Sequence, residues 1–84
     1  MPALHVYSRQ GCHLCEILIE ELMPQVRGTL AVEVHDIDTR PDWREKYSVR
    51  VPVVEFDGHV VSQYRLDREA VAMVVLQVRA VEGE

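Results

Sequence analysis

Within its first half the chain changes hydrophobic period twice, and that limits the folds open to it. In Ala3-Leu4-His5-Val6-Tyr7-Ser8 the apolar Leu4 and Val6 alternate with His5 and Tyr7, the two-residue period of a strand. From Leu14 onward Leu14, Ile17, Leu18, Leu22 and Val26 recur at helical spacing, and Leu30 to Ile37 reads as a strand again. A strand, a crossover helix and a second strand of these lengths imply a parallel, right-handed unit. The helix is expected over Cys12 to Arg27. Pro24, which removes a backbone bond to Glu20, should kink or end it, and Gly28 suits its exit.

The remainder reads as short elements. Thr39, three residues before Asp42, resembles an N-capping arrangement for a short helix, and Trp43 and Tyr47 fall on one face of it as packing residues. Val51 to Phe56 is expected as a strand with proline near its start, and Asp57-Gly58 turns it tightly into His59-Val60-Val61-Ser62. Two antiparallel strands thus follow a parallel pair. Asp67 is a good N-cap for a helix from Arg68 to about Val81, whose valines and Met73 suit heavy packing against the sheet.

Eighty-four residues, 48% of them apolar, make one domain over 1–84 with a core of its own and no need of a disulfide scaffold. The net charge of -5 comes from 14 acids against 9 bases, and the bases form no cluster, so nucleic acid and anionic membrane surfaces are disfavoured as partners. The longest apolar run, Ala70 to Leu76, is too short to span a bilayer. With two cysteines and no charged-then-apolar leader, the expectation is a cytoplasmic protein, monomeric, in which a paired cysteine motif does redox or metal chemistry.

Both cysteines lie in Tyr7-Ser8-Arg9-Gln10-Gly11-Cys12-His13-Leu14-Cys15, where the strand gives way to the helix. Cys12 at the helix start faces unpaired N–H groups and the positive end of the helix dipole, which favour thiolate over thiol. Cys15, one turn on, lies on the same side and can close a disulfide with it. Cys12 is therefore the candidate nucleophile and Cys15 the resolving thiol. Three other readings stay open: a pair of small core residues, half of a zinc knuckle with His13, or a structural disulfide, which would stabilise little across so short a loop. His5, His35 and His59 are scattered singly, with no second paired spacing to complete a zinc site. His5 reads either as a proton acceptor for Cys15 or as an ordinary polar strand residue, and His13 as tuning the thiolate or as solvated.

The order β-α-β-(short α)-β-β-α with CxxC at the first helix start resembles the thioredoxin superfamily, and within it the small glutaredoxin-like proteins with a Cys-His-Leu-Cys motif. The resemblance rests on Tyr7-Ser8-Arg9-Gln10-Gly11-Cys12-x-x-Cys15 and on Val51-Pro52, which is similar to the Val-Pro whose proline is cis and faces the cysteines. It implies an α/β, thioredoxin-like fold with a four-stranded mixed sheet flanked by helices. It also implies a thiol-disulfide oxidoreductase acting on protein or small-molecule disulfides, with no tightly bound cofactor and glutathione as a co-substrate. Cys12 would attack, Cys15 would resolve, and Arg9 would offer positive charge to the sulfur and to a glutathione carboxylate. The backbone of Val51, before a cis Pro52, would pair with the substrate. The chain departs from the glutaredoxin pattern after its last strand, where Val61-Ser62-Gln63-Tyr64-Arg65-Leu66-Asp67 lacks the Gly-Gly that holds glutathione's glutamyl end, although Asp67 stands at a helix start. Two further classes remain: a metal or iron-sulfur carrier using the CxxC, and a redox-silent adaptor on the same fold.

Overall fold

In the computed structural model, which describes residues 1–83, strand β1 runs over Ala3–Ser8 with Leu4 and Val6 fully buried on one face and His5 and Tyr7 half-buried on the other. Helix α1, His13–Val26, returns the chain to β2, Ala31–Asp36, which pairs with β1 in parallel from Ala3 opposite Ala31 to Ser8 opposite Asp36. A 3-10 turn at Ile37–Thr39 and helix α2, Pro41–Tyr47, lead to β3, Val53–Phe56, and β4, His59–Gln63. Helix α3, Arg68–Glu82, closes the chain. Strand order is β2-β1-β3-β4, with β3 antiparallel to both neighbours. This is the expected thioredoxin-like α/β arrangement, a mixed four-stranded sheet flanked by helices.

Two clusters hold the layers together. On one face Leu4, Val6 and Val54 meet Leu18, Leu22 and Val26 of α1 and Val71, Val74, Val75 and Val78 of α3. Full burial of one such side chain stabilises by about 1.5–3 kcal/mol. On the other face the short α2 covers only part of the sheet, where Ile37, Tyr47 and Val53 pack with Tyr7, Trp43 and Val51. Valine is a modest helix former, so it is burial of its valine stripe that holds α3. Met73 is not part of that stripe: it is 59% exposed, because the buried positions follow 71, 74, 75 and 78 and leave 73 on the outer side.

Local signals set most boundaries, and a few differ from expectation. Asp67 caps α3, its Oδ1 accepting from the Ala70 amide at 3.0 Å. Gly28, at φ 82°, takes the left-handed conformation that lets the chain leave α1. The helix nevertheless continues two residues past Pro24, whose missing donor falls in the last turn beside the exposed Glu20. Asp57 and Gly58 both have positive φ, as a two-residue hairpin turn requires. Thr39 does not cap α2. Its hydroxyl donates to the Asp36 carbonyl at 2.7 Å and closes the 3-10 turn, while Arg40 stands before Pro41 with no side-chain cap bond. Proline at the first helical position explains the shift: its fixed φ starts the helix, and the residue before it is forced to be extended. Val51 and Pro52 lie ahead of β3 rather than within it.

Candidate redox-active site

The loop between β1 and α1 is built by a reverse turn. The Cys12 amide donates to the Arg9 carbonyl at 3.2 Å, and Gly11, third residue of the turn, has φ 76°. A type II turn requires positive φ at that position. The turn delivers Cys12 as the N-cap of α1, where its Sγ accepts from the Cys15 amide at 3.2 Å. Cys12 and Cys15 are joined by a disulfide across a Cα–Cα distance of 5.3 Å. The two sulfurs are not equivalent: Cys12 is partly exposed, whereas Cys15 is only 3% exposed and faces the interior. After reduction, an incoming sulfur reaches Cys12 first, at the positive end of α1, where a thiolate is favoured.

The other elements at this end follow from strand direction. Because β3 is antiparallel to β1, with Val53 opposite Tyr7, the residues before Val53 continue past the carboxyl end of β1. Val51-Pro52 therefore emerges at the end from which the cysteine loop departs, and its peptide bond is cis, as the resemblance implies. The Pro52 carbonyl accepts from the Tyr64 amide at 2.9 Å, which brings the loop between β4 and α3 to the same end. Ser62 pins that loop by hydrogen bonding to the Arg65 carbonyl and the Asp67 amide.

Where the Gly-Gly pair is lacking, the backbone still turns through a left-handed conformation, now at Tyr64 with φ 65°. A bulky residue there is an outlier. Its side chain, 48% exposed, borders a groove of about 370 Å³ lined from α1 by Leu14, Ile17, Leu18 and Glu21 and from the loop by Tyr64, Arg65 and Leu66. Leu14 and Ile17, part of the helical apolar pattern, thus do not enter the core; they are 45% and 37% exposed and form the helix side of this groove. The core face of α1 is Cys15, Leu18, Leu22 and Val26.

Charge near the cysteines is partly committed. Arg9 donates from Nε and Nη2 to the two carboxylate oxygens of Asp38, each at 3.0 Å. The contact arises because parallel β1 and β2 release their loops at the same end. The hydrogen bonds to Asp38 raise the Arg9 guanidinium pKa and hold the Asp38 carboxyl below its usual value. His13 sits between the cysteines with its side chain 81% exposed, 3.5 Å from the Glu16 carboxylate.

Sequence spacing did not reveal a second polar cluster. His5 and His35, thirty positions apart, meet across β1 and β2 with His5 Nδ1 2.9 Å from His35 Nε2. His5 is directed there, in hydrogen bond with His35. On the same face Tyr47 donates to the buried carboxylate of Glu55 at 2.6 Å. Burial, then Glu55, pushes the Tyr47 phenol well above its ordinary pKa.

Residues 3–76 match the family model described as the glutaredoxin-like domain (DUF836). Among curated proteins no relative matches. The fold is similar to that of protein Ne2328 from Nitrosomonas europaea, with TM-score 0.77 and 32% identity over 88% of this chain and 92% of that one. It is also similar to target protein XcR50 from X. campestris, with TM-score 0.70 and 28% identity over 89% and 97% of the two chains. Oxidised glutaredoxin 2 from Chlamydomonas reinhardtii shares the fold at TM-score 0.54 and 17% identity, over 98% of this chain and 83% of its own. With its CxxC at the start of α1 and a family match over most of its length, the chain belongs to the glutaredoxin-like (DUF836) domain family of the thioredoxin superfamily.

Proposed function

We propose that the protein is a thiol-disulfide oxidoreductase that cycles Cys12 and Cys15 between dithiol and disulfide. The observation that carries this reading is the asymmetric pair at the start of α1, one sulfur accessible and capping the helix, the other buried behind it. In the reductive direction the Cys12 thiolate attacks a substrate disulfide, forming a mixed disulfide and expelling one substrate thiolate. Cys15, as thiolate, then attacks the Cys12 sulfur, expels the second substrate thiolate and leaves the Cys12–Cys15 bond. The substrate gains two electrons and, at neutral pH, two protons; two external thiols restore the dithiol.

Glutathione is the proposed co-substrate, in a reducing compartment such as the cytoplasm. The backbone of Val51 beside Pro52 would receive the substrate strand, and the guanidinium of Arg9 its carboxylate, in competition with Asp38. His13, exposed above Glu16, is proposed to tune the thiolate. The test is the Cys12/Cys15 equilibrium in graded reduced and oxidised glutathione, read by thiol alkylation and mass. A reversible two-electron transition between about -270 and -120 mV, the span of CxxC oxidoreductases, is expected. No intramolecular disulfide at any ratio would overturn the reading in favour of metal carriage or a redox-silent adaptor.

A further inference from the structure

We propose that His5, Glu33 and His35 form a binding site for one divalent transition-metal ion of the zinc class, separate from the cysteines. The three ligand atoms, one from each side chain, lie within 4.8 Å of one another on the face of the sheet that α2 leaves partly open. Strand register creates the cluster. Glu33 stands directly opposite His5, and His35, two residues further along β2, points to the same face.

The geometry is close to that of a bound ion. Donors on a tetrahedral zinc at ~2.0–2.1 Å stand about 3.3 Å apart, so no pair here has to shift by more than about 1.5 Å. His5 Nδ1 and His35 Nε2 are 2.9 Å apart and need only open slightly. Glu33, whose carboxylate is 4.0 Å from His5 Nδ1 and whose side chain is 55% exposed, is free to swing in. In the His5–His35 contact the N–H of one ring donates to the ring nitrogen of the other. An ion takes that proton's place: a neutral donor ring moves its single proton to its other nitrogen, and only a ring protonated on both nitrogens releases one to water.

His35 is held for this role. Its ring stacks on Tyr7 at 5.1 Å and packs against Trp43 at 5.1 Å, which limits its rotation. Glu55, opposite His5 on β3, does not belong to the cluster of ligand atoms, and its Oε2 accepts from the Tyr47 hydroxyl. Water completes the shell. Two imidazoles and one carboxylate with open positions suit zinc or a neighbouring late transition ion and not calcium or magnesium, which take oxygen.

The experiment is a Zn2+ titration of the tag-free protein in its disulfide form, which removes the thiolates as competing ligands, followed by calorimetry and by the imidazole NMR signals. Saturation at one ion per chain is expected, with the His5 and His35 signals shifting and those of His13 and His59 unmoved. His5→Ala and His35→Ala should each weaken binding at least tenfold. Glu33→Gln, a surface change that keeps the side-chain volume, should weaken it as well, whereas His59→Ala should not. Failure to saturate, equal affinity in either histidine variant, or equal affinity in Glu33→Gln overturns the site. The titration does not depend on disulfide exchange activity, so either proposal can fail alone.

Discussion

Cys12 and Cys15 are one turn apart, yet they differ in burial, and substitutions should separate the roles proposed for them. Cys12→Ser should abolish disulfide reduction, whereas Cys15→Ser should leave attack intact and trap the mixed disulfide, visible as a one-glutathione adduct by intact mass after mixing with oxidised glutathione. Adduct formation on Cys12→Ser instead would reverse the assignment. Arg9 was legible as a basic residue near the sulfur, but its partner was not, since Asp38 is 29 residues away and reaches it only because parallel strands share an end. Asp38→Asn should free the guanidinium and raise glutathione-linked turnover, while Arg9→Ala lowers it; equal turnover in both variants would remove Arg9 from substrate binding. The pair also has a pH signature. Asp38 titrates lower when folded than its ordinary 3.8, so its stabilising effect is full above that value and is lost as pH falls through the lower folded value. Acid unfolding monitored by circular dichroism should be less steep in that window for Asp38→Asn.

Among the elements, what could be read in the sequence was what is fixed by neighbours in the chain. Gly28, Asp57-Gly58 and Asp67 each act within a few residues, and they mark a helix exit, a hairpin and a helix start where expected. Thr39 misled because Pro41 overrides a cap signal nearby; Leu14 and Ile17 marked the helix correctly, but helical spacing identifies an apolar flank without saying whether core or groove covers it. The His5–His35 contact and the Tyr47–Glu55 bond depend on strand register and on α2 folding back, which no local pattern encodes. The second of these ties α2 to the sheet and can be weighed. Tyr47→Phe leaves the Glu55 carboxylate buried without its donor, and should cost roughly 1–3 kcal/mol, read as a lower denaturant midpoint at unchanged slope. The unfolded chain's tyrosine ionises near its ordinary 10.0, and the folded phenol only higher, so stability should fall as pH rises above 10. That alkaline fall should be shallower in Tyr47→Phe; an unchanged profile would assign it to another group.

At the scale of the whole molecule the question is what the disulfide is for. The core beneath α1 and α3 is continuous without it, and the bond closes a loop of sequence separation 3. Chain entropy for so small a loop amounts to about 2 kcal/mol in favour of the oxidised form. That is the low end for a disulfide, as so short a loop implies, yet in a domain of this size it corresponds to about 8–16 °C in melting temperature. Against it stands whatever the reduced form gains from a Cys12 thiolate at the helix end, where charge interactions with the dipole contribute about 0.3–2 kcal/mol. The difference between these contributions links folding to redox poise, because the form more stable relative to its unfolded chain is the one the fold favours. If the helix end stabilises the thiolate, oxidised and reduced protein at neutral pH should melt closer together than chain entropy alone requires, or in reverse order. A gap at or above the entropic limit would mean that α1 gives the reduced cysteine nothing. The bond would then be a short staple, and the activation of Cys12 by its position at the helix start would have to be abandoned.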